Sequence, residues 1–501
     1  MLDYAFIELL ESLTRDEIRS LRKFIISPYF NRSQKVVKLF DIIIKFHPNF
    51  ESPKLSKEEL HRKISPKLPY NEVTMRRLLY DLQQLISKFI RQQYVDRKEA
   101  ESAIFTIEEL AIRGAERMHS ITIRDAEKIM NSIEHIDADS CLNKFKLETE
   151  KFYFGMINDK INKKSFVDTE AGKLINGITY FISYFMLESI KHNDTLLNYS
   201  RSFNIKQNKK FISQFLDLFD FQRLEIFMKT HSLSGIEIVQ AYINSLKAYL
   251  YFDNEEYYSQ LKSSVFDNLE RFSQTDKHFL FARLSGYCIL KRETLPPNDL
   301  KYENELFGIY KKMLTAKYYQ TEASKYMPVD LYRNILIQAV KMKELRWLEE
   351  FIEEYGRQIH PRRKTDVINY SYAFLRFEQG NFDDSLKWLS RIRLEEFSYH
   401  LDIRSLYIML YYELGEHDAA LSAANAFRKY LKDNTMVSDE KRTGCENLCK
   451  YVVKLINYHN TNSKTDLSSL MVRLNKCKTI NSKIWLLSKV QSLDKSVKKA
   501  V

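Results

Sequence analysis

Glycine and proline are scarce in this chain, with 11 and 9 copies in 501 residues, where average usage would give roughly 35 and 25. Sheet-rich folds need many tight turns, and these two residues supply most of them. A long chain so poor in breakers is built from helices and short connections. Clean two-residue alternation is also missing beyond a few residues at a time, so half-buried strands are not expected and the fold class is all-α. Long apolar runs are missing too. The most apolar stretch, ITYFISYFMLESI (178–190), is too short for a bilayer and carries polar residues. The first residues, MLDYAFIELLESLTRDE, are acidic before they are basic, which is unlike a secretory leader. No membrane association is expected, and the expected location is the cytosol. Five cysteines (Cys141, Cys288, Cys445, Cys449, Cys477) are odd in number and widely spaced. They read as reduced structural thiols, not a disulfide framework.

What is present is an ordinary soluble composition, 44% hydrophobic and 29% charged, which argues against global disorder. The length exceeds one hydrophobic core, so several domains or an elongated array are expected. Tyr (31) and Phe (32) are abundant, which suits helix–helix packing. The net charge of +12 is uneven. Residues 1–100 carry 19 Lys+Arg against 13 Asp+Glu, and residues 432–501 carry 14 against 6. Basic ends on a near-neutral body can attract nucleic acid or an acidic partner, and they also serve solubility alone.

Residues 1–100 read as an N-terminal helical domain. Thr14-Arg-Asp-Glu17 and Ser56-Lys-Glu-Glu59 fit capping boxes. Ser27-Pro28 and His47-Pro48 stop helices. The clearest apolar stripe runs through Val73, Met75, Leu78, Leu82, Leu85, Ile86 and Phe89, with Arg76, Arg77, Gln84, Lys88 and Arg91 opposite. From 101 to 460 the chain reads as successive helices. Polar joints are expected at Asn158–Lys164, His192–Asp194, Asn204–Asn208, Asp253–Glu256 and Glu293–Asp299. Residues 461–501 read as a basic C-terminal helical segment.

Two segments repeat. Gly380-Asn-Phe-Asp-Asp-Ser-Leu386 aligns with Gly415-Glu-His-Asp-Ala-Ala-Leu421, 35 residues later, near the period of about 34 for helical hairpins. Glycine can take the left-handed geometry that ends a first helix. Asp383 and Asp418 then fall in the first turn of the next helix, where its dipole favours negative charge. Ser385 and Ala420 are small enough for close packing. Weaker copies are read at Lys341–Phe351, with Met342 in place of the turn glycine, and around Asp253–Tyr258. The pattern resembles the tetratricopeptide repeat family. That resemblance implies a right-handed helical-hairpin solenoid, with a small N-terminal helical domain before it. It also implies a non-catalytic scaffold that binds a protein or peptide on the first helix of each pair. Carried onto this chain, the surface comprises Tyr370, Phe374, Phe377, Asp402, Ser405, Met409 and Tyr412. A competing reading makes the same aromatics ordinary core.

An alternative function rests on the N-terminal block. The short helix from Ser56, the Pro66–Pro69 turn and the helix from Asn71 resemble a helix-turn-helix, with Asn71, Thr74, Arg76, Arg77 and Tyr80 at the base-reading positions. Some bacterial transcriptional regulators join such a domain to tetratricopeptide-like repeats. The segments SPYFNRS and PYNEVTMRRLLYDL also resemble the start of large bacterial helical proteins, a likeness that carries no activity.

Catalytic and metal patterns are missing. Cys445-x3-Cys449 lacks the tight knuckle of a zinc site. Asp137-Ala-Asp139 has no phosphate loop beside it. There is no Gly-x-Ser-x-Gly elbow, Walker loop or His-x3-His pair with a glutamate. No enzyme activity, metal or cofactor is expected.

Overall fold

The computed structural model describes residues 2–158, 164–202, 211, 214–215, 220–231, 235–296, 299–321, 324–393, 397–461 and 464–499. Among them are 23 α-helices and no β-strand. The chain divides into two compact units. One is Met1–Ser132 with Lys146–Lys173, and the other is Ile133–Phe145 with Leu174–Val501.

The first unit begins with α1 (Tyr4–Glu11), α2 (Arg15–Ile26), α3 (Gln34–Ile43), α4 (Lys57–Ile64) and α5 (Glu72–Arg97). The Thr14 capping box forms. Thr14 Oγ1 accepts from the Glu17 N–H at 3.2 Å, and Glu17 accepts from the Thr14 N–H at 2.7 Å. At α4 only half of the expected box forms. Ser56 accepts from the Glu59 N–H at 3.3 Å, while the Glu59 carboxylate turns to Arg62. Leu21, Ile25, Leu39, Phe40, Leu60, Leu82 and Ile86 meet in one core, each contributing about 1.5–3 kcal/mol by burial. Next come α6 (Glu99–Ile112) and α7 (Glu116–Ser132), which form a hairpin. They are followed by α8 (Ala138–Asn158) and α9 (Lys164–Ser202), each of which contributes to both units.

The second unit continues with α10 (Phe221–Thr230), α11 (Ile236–Leu250), α12 (Glu255–Asp267), α13 (Gln274–Arg292), α14 (Lys301–Thr315), α15 (Val329–Lys341) and α16 (Leu345–Tyr355). It ends with α17 (Pro361–Glu378), α18 (Phe382–Leu389), α19 (Phe397–Glu413), α20 (His417–Asp433), α21 (Asp439–Thr461), α22 (Lys464–Lys476) and α23 (Lys483–Lys499). From α11 to α20 the helices pack in consecutive pairs: α11 with α12, α13 with α14, α15 with α16, α17 with α18, and α19 with α20. Each second helix packs on the next first helix, and α15, α17, α19 and α21 also pack on one another in that order. α22 and α23 pack together, α23 packs on α21, and Leu474, Leu486 and Val490 share a core with α20 and α21.

The pairing turns follow one backbone pattern. Gly380 has φ 78°; its N–H reaches the Phe377 carbonyl at 3.0 Å, and the Asn381 N–H reaches Arg376 at 2.8 Å. Gly415, with φ 76°, repeats this onto Tyr412 and Tyr411. The two bonds satisfy carbonyls that a helix end leaves free, in the Schellman arrangement. Asp383 and Asp418 lie in the following first turns, and Ser385 and Ala420 are fully buried. In the weaker copy the left-handed residue is Lys343 (φ 58°), not Met342, which remains in right-handed helical geometry. The Lys343 and Glu344 N–H groups make the same two bonds, to Val340 and Ala339. The copy near Asp253 pairs its helices without any left-handed residue.

The expected joint at His192–Asp194 is not a joint. These residues lie inside α9, because their polar groups find partners there. Asn193 donates to the Ser189 carbonyl, and Asp194 pairs with Arg283 at 2.8 Å. Asn204–Asn208 lies outside the described residues.

The tyrosine-rich composition goes into the core of the second unit. Tyr242, Tyr287, Tyr302, Tyr310, Tyr332, Tyr370 and Tyr399 are fully buried. Tyr258 stacks on Tyr287 with centroids 4.1 Å apart. Their hydroxyls are used across elements, as where Tyr249 donates to the Arg283 carbonyl at 2.6 Å.

Candidate functional site

Two knots of charged side chains tie successive helices of the second unit. Arg333 on α15 forks onto Asp402 of α19, its Nη2 donating to Oδ1 at 2.7 Å and its Nε to Oδ2. Tyr370 of α17 donates to the same Asp402 Oδ2 at 3.3 Å. Tyr399 of α19 donates to the Val329 carbonyl, at the start of α15, at 3.1 Å. Three first helices are thus tied at one point by a bidentate ion pair and its attendant hydroxyls. Burial would lower the Arg333 guanidinium, but the Asp402 carboxylate outweighs it and raises it. Burial and the same carboxylate hold the Tyr370 hydroxyl protonated.

A second knot joins α13, α14 and α15. Arg292 Nη1 donates to Glu303 at 3.0 Å and to Gln338 Oε1 at 2.6 Å, and Gln338 returns a bond to Glu303 at 2.7 Å. Lys341 lies 3.7 Å from Glu303. Burial would raise the Glu303 carboxyl, and Arg292 and Lys341 bring it below its ordinary value instead.

Four residues at helix ends stand apart. Glu293, Lys341, Glu378 and Lys441 are all reached by solvent. Even so, desolvation by surrounding protein raises the Glu293 and Glu378 carboxyls and lowers the Lys341 and Lys441 ammoniums. Glu293, after α13, feels Glu440 of α21, and Lys441 feels Arg333, Asp330 and Asp402. Among the described residues Glu293, Glu378 and Lys441 form no ion pair.

Tyr370, Phe374 and Asp402 come together: the two rings stack at 6.0 Å, and Asp402 holds Arg333. Tyr370 itself is only 2% exposed. Phe377 and Met409 lie in a separate core with Ala373, Leu389 and Leu406. Ser405 is buried, its hydroxyl donating to the Leu401 carbonyl at 2.8 Å. Tyr412 packs against Trp485 at 5.5 Å. Of the seven, Phe374 and Asp402 keep partial contact with solvent.

The alternative set sits at the start of α5. Asn71 caps the helix by accepting from the Thr74 N–H at 2.8 Å, Thr74 is half-buried, and Arg76 pairs with Glu72 at 2.7 Å. Arg77 and Tyr80 are exposed.

Sequence reading missed Arg333, Glu293, Lys341, Glu378 and Lys441. A signal for two of them was available. The residue two before the left-handed turn residue is charged in three successive first helices: Lys341, Glu378 and Glu413. The last of these is already engaged, accepting from Trp485 Nε1 at 2.6 Å and Lys489 at 2.7 Å.

Cys445 and Cys449 are buried free thiols, and burial pushes them up to about 12 and about 11, where they are poor metal ligands and nucleophiles. Among the described residues no group of His, Cys, Asp and Glu is arranged to hold a metal ion, and no helix is long and apolar enough to cross a membrane. No family model, no curated protein and no solved structure matches the chain.

Proposed function

We propose that this chain is a non-catalytic, tetratricopeptide-like scaffold whose stacked hairpins hold an extended peptide of a partner protein. The observation that carries the reading is the run of consecutive helix pairs from α11 to α20, whose first helices pack on one another from α15 to α21, with the exposed charges Glu293, Glu378 and Lys441 at helix ends. Glu293, Glu378 and Lys441 have no ion-pair partner among the described residues, so a peptide supplying opposite charges complements them. The recurring turn, with its acidic first turn and small packing residue, supports the hairpin-repeat architecture, and the right-handed stacking is what the resemblance to tetratricopeptide repeats implies. The five free cysteines suit a reducing compartment, and we place the protein in the cytosol.

The test is selection of random twelve-residue peptides on the full-length chain, followed by calorimetry. Selected peptides should bind the parent and lose at least tenfold in affinity to Glu378→Lys or Lys441→Glu. Arg346→Glu, on the second helix α16 with a side chain 96% exposed, should leave binding unchanged. If no peptide is enriched, or if all three variants behave alike, the proposal fails.

A further inference from the structure

The long helix α5 carries a surface that the scaffold reading does not use. Its buried side, Met75, Leu78, Leu82, Leu85, Ile86 and Phe89, is anchored in the first unit's core. At 100° per residue, Arg77, Tyr80, Gln84, Lys88, Arg91 and Tyr94 fall on the opposite side within about 60° of one line. All six are exposed, with Tyr80 at 59% and Tyr94 at 56%. The spacing has an internal order. Arg77-x2-Tyr80 recurs as Arg91-x2-Tyr94, 14 residues on, about 21 Å along the helix. Each unit places a guanidinium one turn before a flat ring on the same face.

Among the described residues Arg77, Lys88 and Arg91 have no carboxylate partner, whereas Arg76 pairs with Glu72, Arg22 with Asp41 and Arg62 with Glu59. Of the three carboxylates of α5, Glu72 and Asp96 lie well off the line, and Asp81 flanks it one turn after Arg77 without pairing with it among the described residues. Unneutralised cations interleaved with exposed rings complement a ligand with regularly spaced negative charge and flat apolar surfaces between the charges. Nucleic acid with unpaired bases has that chemistry. An acidic peptide has no need of the rings, and a lipid surface would meet Gln84 at the centre of the face instead of an apolar wedge.

The geometry also argues against insertion of the α5 N-terminus into a duplex groove. Glu72 stands in its first turn, held ionised at about 2 by hydrogen bonds from Tyr70, Arg76 and Lys57. A fixed carboxylate there repels the phosphates that a groove-reading helix must pass. Asn71, which would read a base, spends its side-chain oxygen on the helix cap.

We propose that the solvent face of α5 binds single-stranded nucleic acid lengthwise. Arg77, Lys88 and Arg91 meet phosphates, and Tyr80 and Tyr94 stack on bases.

Fluorescence anisotropy of a labelled 20-mer oligothymidylate with the full chain tests this over a salt series. The expected result is binding that weakens steeply with salt, and a log–log slope about 2 shallower for Arg77→Gln/Lys88→Gln/Arg91→Gln. Tyr80→Ala/Tyr94→Ala should lose at least tenfold, while Tyr80→Phe/Tyr94→Phe should stay within about twofold because the phenyl rings still stack. Unchanged circular dichroism and melting temperature of the variants separate these effects from misfolding. The inference is overturned by no binding at low salt, by equal or tighter binding of the matching duplex, by displacement by polyglutamate as efficient as by unlabelled oligothymidylate, or by affinities indifferent to the alanine pair. None of these outcomes bears on peptide capture by the second unit, which is read by different variants.

Discussion

His119 shows how far a single side chain can sit from its solution habits. It is 1% exposed, its ring stacks on Phe154 at 4.5 Å, and neither ring nitrogen has a hydrogen-bond partner. Glu150 lies 4.0 Å away, beyond hydrogen-bond reach. Burial lowers the imidazole below its ordinary 6.5, while burial and Glu108 raise the Glu150 carboxyl. The sign follows from linkage. With the folded value depressed, the unfolded chain takes up the proton first as pH falls, so stability is intact above about 6.5 and drops below it. His119→Phe removes the titration and two unsatisfied atoms and keeps the stacking. It should raise the melting temperature more at pH 5.5 than at pH 8, by an amount equivalent to about 1–3 kcal/mol at the lower pH. An unchanged pH slope in thermal melts would show that another group sets it.

At the scale of elements, one turn serves residues of very different propensity. Gly114, Lys317, Lys343, Gly380 and Gly415 all have positive φ and donate to the carbonyl three residues back. Glycine takes this geometry freely, and a side chain raises its energy by about 1–2 kcal/mol. A Cβ at Gly380 would meet nothing within 4 Å, so Gly380→Ala isolates the backbone contribution: a loss of about 1 kcal/mol in urea denaturation. Lys343→Gly relieves the same strain but loosens the unfolded chain, and should be neutral to stabilising by about 1 kcal/mol. Destabilisation by Lys343→Gly would mean that the lysine stem contributes packing there. The glycine turns at 380 and 415 were legible in the sequence because the residue type announces the geometry. The turn at Lys343 was legible only to within one residue, with Met342 expected in its place, because lysine does not announce the geometry that the packing of α15 on α16 imposes. The same override hid the continuity of α9 through His192–Asp194: Asp194 looks like a joint until Arg283, far along the chain, is seen to neutralise it.

At the scale of the whole molecule, polar knots tie successive hairpins of the second unit. Arg333–Asp402 binds α15 to α19 past α17, with the two side chains 22% and 20% exposed. Removing one partner strands the other, which costs about 3 kcal/mol or more for a largely buried pair. Asp402→Ala should therefore destabilise the second unit by about 3 kcal/mol, measured by urea unfolding followed by tyrosine fluorescence. Arg333→Met/Asp402→Leu, which removes both charges, should recover most of that loss. If the double variant is no better than the single one, the knot positions the helices by geometry that apolar side chains do not replace. Two of the residues expected on a binding surface are engaged within the fold: Tyr370 donates to Asp402, and Asp402 holds a guanidinium 69 residues upstream that no local spacing announces.

The amino-acid sequence alone determined that this protein is helical, where two of its hairpin turns lie, and that α5 has one apolar and one basic face. Those properties follow from local sterics and from periodicity, which act over a few residues. Only the tertiary structure decided which charged and aromatic side chains are spent inside the fold and which remain exposed. That outcome depends on which groups distant in the chain come within hydrogen-bond reach, so Arg333 closes over Asp402 while Lys441, Glu378 and Arg91 stay without a protein partner among the described residues.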